Sequence, residues 1–178
     1  MTQTKPSSLF ERVQKTVLAL LLVTACLLGG KITLTGEPQL LAANRPTNLG
    51  VQANQLTLCP DTPNCVNSQS RDAVHQIEPL SYDNSSEEAM VHLKSALQSF
   101  RRVKTIAETD NYLYTEFTIP VVGFVDDVEF LLDSNANVIH VRSASRLGES
   151  DLGVNRTRIE TIRAKFNQLN RNKSFQPV

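Results

Sequence analysis

Short runs in which apolar and polar residues alternate recur along the chain and predict strands. The first is VHQIEPL at 74–80, and four longer runs follow at 102–109, 112–119, 123–133 and 138–145. A period of two residues places successive side chains on opposite faces of a sheet. Only the short segments DN, PVV and SNAN separate the four later runs, which favours antiparallel neighbours.

Two segments have apolar residues at helical spacing. In the segment 85–102, Ser85 and Glu88 fit a capping box, and one face is apolar: Ala89, Leu93, Ala96, Leu97 and Phe100. A second helix is predicted to begin with Asn155 as its N-cap and to bury Ile159, Ile162, Phe166 and Leu169. The element order β-α-β-β-β-β-α predicts an α+β fold. We expect a single, mostly antiparallel sheet of about five strands, with two helices packed on one face.

The N-terminal residues 1–30 have the pattern of a targeting segment. Three basic residues, Lys5, Arg12 and Lys15, precede an apolar run at 17–28 that only one threonine interrupts. The run is shorter than the roughly 18 residues that span a bilayer comfortably, which favours a signal peptide over a membrane anchor. We therefore expect an exported protein.

Three outcomes are open for the end of this leader. The sequence VTAC is typical of a lipoprotein site and would place a lipid on Cys26. Cleavage near Ala43, in EPQLLAAN, is the second outcome, and an uncleaved anchor is the third. Residues 31–58 have little periodicity and are interpreted as a tether and an extended lead-in. One folded domain at 59–170 and a short tail at 171–178 complete the predicted organisation.

The only two cysteines outside the leader lie close together in CPDTPNC. Pro60 and Pro63 would stiffen the turn between Cys59 and Cys65. In the oxidising compartment to which the leader points, two such cysteines are expected to form a disulfide. The stretch lacks further metal ligands at a suitable spacing, and it is not the C-x-x-C motif of redox proteins. We therefore predict a structural disulfide and no metal site.

The charge of the chain argues against a nucleic-acid partner. From residue 44 onward there are 14 Lys and Arg residues and 16 Asp and Glu residues, without the strong positive charge of a nucleic-acid-binding surface. The distribution is uneven, because no Lys or Arg occurs between Thr105 and Val141. Acidic residues occupy that stretch, and basic residues follow it.

Asp126 is predicted to share the apolar face of its strand with Val128 and Phe130. A carboxylate on such a face is costly unless it is paired. Arg142, on the next strand, is the predicted partner in a structural ion pair. The alternative is a polar site built from both segments, with Arg146 as a further member.

The segment 141–156, VRSASRLGESDLGVNR, is the densest polar stretch of the chain. It leads from a strand to the start of a helix, where free N–H groups attract anions and arginines add paired donors. The candidate ligand-binding or partner-binding residues are Arg142, Ser143, Ser145, Arg146, Ser150, Asp151, Asn155 and Arg156. In the alternative interpretation, Asp151 and Asn155 only cap the helix, and the arginines pair with the acidic strand.

Signals of catalysis are weak. The sequence has no G-x-S-x-G, H-E-x-x-H or phosphate-loop motif. His75, His92 and His140 lie in separate predicted elements, and strand alternation places His140 and Ser143 on opposite faces. No catalytic residue, metal or cofactor is predicted, and an enzyme is not the preferred interpretation.

CPDTPNC and VRSASRLGESDLGVNRTRIETIR together resemble the DUF1499 family, with a similarity that runs from about residue 45 to residue 166. The segments RPTNLGV and VDDVEF add to it, and RPTNLGV resembles cyanobacterial members in particular. The resemblance implies a small exported protein of the periplasm or thylakoid lumen. It implies no role for any single residue, because the family has no established activity.

Two classes of function are therefore expected. The first is a non-catalytic module, membrane-associated or free in its compartment, that binds a partner protein or a small anionic or lipid ligand. The second is an enzyme of unknown reaction that uses Asp126, Arg142 and Arg146. An apolar cavity on the face of the sheet away from the helices would favour a lipid, and a flat polar face would favour a partner protein. The ligand, the reaction and the oligomeric state are not specified by the sequence.

Overall fold

The computed structural model describes residues 43–120 and 123–173, with only the backbone given for the last two of these. The leader, the lipidation candidate Cys26 and most of the predicted tether lie outside the described residues. Ala43, the candidate cleavage residue, is the first one described. Neither helix in the described ranges is long and apolar enough to cross a membrane.

Eight strands and two helices make up the described part of the chain. The helices are α1 (Ser86–Gln98) and α2 (Val154–Lys173). The strands are β1 (Val51–Gln52), β2 (Gln55–Leu56), β3 (Cys65–Asn67), β4 (Leu80–Ser81), β5 (Val103–Glu108), β6 (Tyr112–Thr118), β7 (Val125–Asp133) and β8 (Val138–Ser145). The predicted α+β class is confirmed.

Six strands form one antiparallel sheet in the order β3-β8-β7-β6-β5, and β4 pairs with β8 beside β3. The predicted meander corresponds to β5–β8, whose bounds lie within two residues of those expected. The predicted first strand at 74–80 is wrong in extent, because Asp72 closes a turn there by accepting the N–H groups of His75 and Gln76. Strand β3, which was not predicted, occupies the edge of β8 instead.

Both helices pack on one face of the sheet, as predicted, and enclose the main hydrophobic core. Helix α1 begins as expected, since Ser85 Oγ accepts the N–H of Glu88 at 3.2 Å. The buried apolar residues include Ala89, Leu93 and Leu97 of α1, Ile159, Ile162 and Phe166 of α2, and Leu113, Phe117, Val128, Phe130, Ile139 and Val141 of the sheet. Removal of these side chains from water is the main contribution to the stability of the fold.

The start of α2 differs from the prediction. Asn155 is not the N-cap: its side chain is fully buried, and the helix already begins at Val154. The Asp151 carboxylate accepts the N–H groups of Gly153 at 3.0 Å and of Asn155 at 2.7 Å. Asp151 therefore caps α2, and the Asn155 amide is left for contacts inside the protein.

The other face of the sheet, called the second face below, is partly covered by residues 43–58. Strands β1 and β2 form a small hairpin that contacts β7 and β8, and Leu56 of β2 is only 2% exposed. The N–H of Gly50 donates to Glu129 Oε1 at 2.8 Å, and Arg146 Nη1 donates to the carbonyl oxygen of Ala43 at 3.2 Å. The described part of the lead-in is thus packed against the sheet.

Candidate functional site

Cys59 and Cys65 form the predicted disulfide, with their Cα atoms 5.7 Å apart. Cys65 is the fully buried first residue of β3, whereas Cys59 is half-buried. Pairing of β3 with β8 extends to Asn64, whose carbonyl oxygen accepts the N–H of Ser145 at 3.0 Å. The ring closed by the disulfide therefore borders the polar segment 141–156.

Strand alternation divides this polar segment between the two faces of the sheet. Arg142 lies opposite Glu129 on the second face, and Arg146 joins it there by bonding to Asp127. Ser145 lies opposite Asp126 on the helix-covered face, and Ser143 shares that face. The eight candidate residues therefore do not converge on one anion site.

The predicted ion pair between Asp126 and Arg142 is wrong. Arg142 Nη1 donates to Glu129 Oε2 at 3.1 Å, whereas the Asp126 carboxylate accepts a hydrogen bond from Arg158 of α2. Asp126 and Arg142 project from opposite faces, so their side chains cannot meet across the β7–β8 pair. Asp126 is paired, as its burial requires, but the partner comes from the helix above it.

The second face holds a network of buried charges. Asp127 accepts from Arg146 Nε at 2.9 Å and Nη2 at 2.6 Å, and from the Tyr114 hydroxyl at 2.5 Å. Glu116 accepts from Arg146 Nη2 at 2.5 Å and from Arg45 at 2.7 and 2.8 Å. Burial opposes ionisation of Glu116, but hydrogen bonds from the two arginines outweigh it, and the pKa of this carboxyl is lowered.

The same network continues to Glu129, which accepts from the Tyr112 hydroxyl at 2.8 Å in addition to its bond with Arg142. Burial and the Glu129 carboxylate raise the pKa of Tyr112, so its hydroxyl stays protonated and continues to donate. Arg142 and Arg146 are both largely buried and neutralised by carboxylates of this chain. The two arginines therefore offer no open site for an anion.

The helix-covered face has a second polar cluster, centred on Asn155. Arg158 Nη1 donates to Ser143 Oγ at 2.9 Å and to Asn155 Oδ1 at 2.5 Å. Asn155 Nδ2 donates to Ser145 Oγ and to the carbonyl oxygen of Asn64, both at 2.9 Å. The buried Asn155 amide thus joins β8, α2 and the disulfide ring.

A cleft of about 250 Å³ lies beside this cluster, where β7, β8 and the start of α2 meet. Its lining residues are Ile119, Phe124, Asp126, Ser145, Leu147, Gly148, Ser150, Asp151, Leu152 and Val154. Asp126 and Ser145 also belong to the buried polar cluster. The cleft therefore combines apolar walls with a few hydrogen-bonding groups, as binding pockets usually do.

Exposed apolar side chains are concentrated around this cleft. Of the eight large apolar residues that are exposed in the described ranges, four line it: Phe124, Leu147, Leu152 and Val154. Leu152 is 95% exposed and has a φ of +54°, a left-handed conformation that costs energy for any residue with a Cβ and is better suited to Asn or Gly. A leucine that is both strained and exposed is not explained by the stability of the fold.

A family model described as "Protein of unknown function (DUF1499)" matches residues 55–166. This chain belongs to the DUF1499 family. The matched range contains the disulfide ring, the cleft and the Asn155 cluster, and it excludes Arg45. A search of the curated proteins found no similar sequence.

In this DUF1499 protein, the predicted site residues lie in different places. Ser145, Ser150 and Asp151 line the cleft, Ser143 and Asn155 are buried next to it, and Arg156 donates to the carbonyl oxygen of Val74. The prediction missed the apolar lining residues Ile119, Phe124, Leu147, Leu152 and Val154. The signal that could have found part of this set is the pair of leucines within the glycine-containing segment RLGESDLG, where a loop would normally be polar.

His140 is the histidine with the most suggestive neighbours. Its Nδ1 lies 3.2 Å from Ser68 Oγ, and its Nε2 lies 3.9 Å from Asp133 Oδ2. However, the N–H groups of Ser68, Gln69 and Ser70 all donate to nearby oxygens, so none of them is available to stabilise an oxyanion. Burial lowers the pKa of His140. In the described ranges, no group of three or more His, Cys, Asp or Glu side chains is placed to hold a metal ion.

Proposed function

We propose that this protein is an exported, non-catalytic binding module that takes up an apolar side chain of a partner protein in the cleft. The observation that carries the proposal is Leu152, an exposed leucine held at positive φ on the rim. Exposed apolar patches that cluster in one place are typical of interaction sites. The leader sequence and the Cys59–Cys65 disulfide support the exported location, since disulfides persist in oxidising compartments.

The size of the cleft favours a protein side chain over a lipid. An apolar cavity of about 150 Å³ can hold benzene, whereas sites for drug-sized molecules begin at roughly 300 Å³. A cleft of about 250 Å³ therefore accommodates one large side chain. It is too small to enclose the acyl chains of a phospholipid.

The charge near the cleft indicates the kind of partner. The loop that carries Leu147 and Leu152 also carries Glu149 and Asp151, and the only basic residue between β8 and α2, Arg146, is bonded to Asp127 on the second face. The rim is therefore apolar and acidic. A partner segment with basic residues next to its apolar side chain is complementary to it. This supports a basic protein partner rather than an anionic ligand.

The enzyme alternative is not favoured by the geometry. It requires Asp126, Arg142 and Arg146 to act together, but Asp126 lies on the helix-covered face and the two arginines lie on the second face. All three are paired within the protein. A catalytic cluster would need the three side chains to converge on one substrate, and of the three only Asp126 borders the cleft.

Two capped peptides test the proposal: acetyl-Lys-Lys-Leu-Lys-Lys-amide and acetyl-Glu-Glu-Leu-Glu-Glu-amide. We expect the lysine peptide to shift the NMR resonances of the Leu147, Leu152 and Val154 amides, and the glutamate peptide to shift them far less. The substitution Leu152→Asn should strongly reduce the shifts at Leu147 and Val154 at the same peptide concentration. Val91→Asn is the matched control, because Val91 is also exposed but lies on α1, away from the cleft.

Vesicles of phosphatidylcholine, with and without phosphatidylglycerol, test the lipid alternative. Resonance shifts at the same amides with vesicles, and none with the lysine peptide, would show that the occupant is a lipid and refute the proposal. Equal shifts with both peptides would refute the basic partner. Shifts with neither peptide and no vesicle effect would refute binding at the cleft.

A further inference from the structure

We infer that the Cys59–Cys65 ring controls the shape of the cleft through Asn64, so that reduction of the disulfide loosens the cleft loop, residues 146–153, more than the rest of the fold. Asn64 would then be a positioning residue of the cleft, and the disulfide a redox-sensitive support for it. The inference concerns the site of the proposed function. It rests on contacts that can be tested without any ligand.

Asn64 lies inside the ring and is held by it. Its side chain is buried, and its Oδ1 accepts a hydrogen bond from Thr62 Oγ1 at 2.9 Å. This bond fixes the amide so that its Nδ2 points away from Thr62. On the other side, Cys65 is locked into the ladder with β8 opposite Ala144. The orientation of the Asn64 amide thus depends on ring residues on one side and on the sheet on the other.

From Asn64, three hydrogen bonds reach the residues that build the cleft. Its Nδ2 donates to the carbonyl oxygen of Gly148 at 2.5 Å. Its own carbonyl oxygen accepts the N–H of Ser145 at 3.0 Å and the Asn155 amide at 2.9 Å. Gly148 and Ser145 line the cleft, and Asn155 lies in the first turn of α2. One buried residue therefore connects the ring to both ends of the cleft loop.

Reduction removes the closure of the ring but leaves β3 in the sheet. A dithiol reductant supplies two electrons and two protons: its thiolate attacks one sulfur, the S–S bond breaks, and the dithiol closes to its own disulfide. The contact of the Thr62 carbonyl oxygen with His75 Nε2, at 3.1 Å, does not depend on the disulfide bond itself. The chain from 59 to 63 gains freedom, and the Thr62–Asn64 bond loses its support.

Amide hydrogen exchange of the oxidised protein and of the protein reduced with dithiothreitol tests the inference. We expect the backbone N–H groups of Ser145 and Asn155, on either side of the cleft loop, to exchange at least about tenfold faster after reduction, as local opening predicts. The amides of Thr115 and Val128, paired in the β6–β7 ladder, report on unfolding of the whole sheet and should change much less. If all four accelerate by the same factor, or none does, the ring has no special connection to the cleft.

Asn64→Ala and Asn67→Ala provide matched variants. Both asparagines are buried, but Asn67 lies on the second face and bonds to Thr57 and Gln69. Asn64→Ala removes the side-chain bonds to Thr62 and Gly148 but keeps the backbone carbonyl oxygen. The backbone N–H groups of Ser145 and Asn155 should therefore already exchange faster in this variant, and reduction should add less than in the unmodified protein, because the side-chain connection from the ring to the loop is lost. In Asn67→Ala, reduction should still accelerate them. An additive effect of reduction in Asn64→Ala would overturn the role of Asn64.

The lysine peptide separates this inference from the proposed function. If the peptide binds the oxidised protein, it should bind the reduced protein at least about fivefold more weakly, because the loop must be reordered. Equal binding to both forms would refute the redox control and leave the binding function intact. If reduction does not accelerate hydrogen exchange at Ser145 and Asn155, the redox control is refuted even if no peptide binds.

Discussion

The substitution Leu152→Asn is expected to stabilise the protein while it removes binding at the cleft. The side chain is 95% exposed, so its replacement loses only a twentieth of the roughly 2 kcal/mol that full burial of a leucine contributes, or about 0.1 kcal/mol. Its φ of +54° costs about 1 kcal/mol for a leucine, and Asn tolerates this conformation better. The free energy of unfolding should therefore rise by about 0.5 to 1 kcal/mol.

Urea unfolding and thermal melting measure this change, and we expect the midpoint temperature to rise by roughly 2 to 4 °C. Binding of the lysine peptide should weaken by roughly 10-fold to 100-fold, the equivalent of a leucine that is buried against its partner. The reverse substitution Asn137→Leu is the control, because Asn137 has a φ of +53° in the turn between β7 and β8. It should destabilise the protein by about 1 kcal/mol. A destabilised Leu152→Asn protein, or one that binds the peptide normally, would refute this reasoning.

Three further outcomes are expected for the second face. Arg142→Ala should cost about 3 kcal/mol in urea unfolding, because it leaves the buried Glu129 without its cation, and addition of Glu129→Ala should cost less than the sum of the two single changes. The pKa of Glu116 is lower in the folded protein than in the unfolded chain, where it is about 4.5. Its contribution to stability is therefore complete above about pH 4.5 and is lost as the pH falls through the lower pKa of the folded state. Glu116→Gln should flatten this part of the plot of unfolding free energy against pH, and an unchanged plot would show that Glu116 does not cause the dependence. Removal of residues 43–58 should cost at least about 2 kcal/mol, because Leu56 is buried against the sheet, and equal stability of the shortened chain would show that the domain begins at residue 59.

Local patterns in the sequence were sufficient for the four-stranded meander, the start of α1 and the fold class. The alternating runs that became β5–β8 and the capping box at Ser85 act over a few residues, so they can be read without the rest of the chain. The disulfide was also predictable, because Cys59 and Cys65 are close in sequence and have no other partner in the folded part. The turn at Asp72 competes with the predicted strand at 74–80, and the alternation of that segment did not reveal it.

Alternation also located the acidic residues correctly on two faces, but it did not identify their partners. A buried Asp126 requires a cation, and the neighbouring strand suggested Arg142. The actual partner is Arg158, which lies 32 residues further along the chain and reaches Asp126 because α2 packs over the sheet. The partners of Glu116 include Arg45 from the lead-in, 71 residues away. Contacts over such separations depend on how whole elements pack, which a local pattern does not encode.

The sequence by itself determined the α+β class, the four-stranded meander, the start of α1 and the disulfide, since each depends on residues that are neighbours along the chain. The tertiary structure decided the cleft. Its lining comes from the ends of β6, β7 and β8 and from the loop before α2, and these segments are separated along the chain. Sheet register places the ends of these strands side by side, and packing of α2 on the sheet adds the loop.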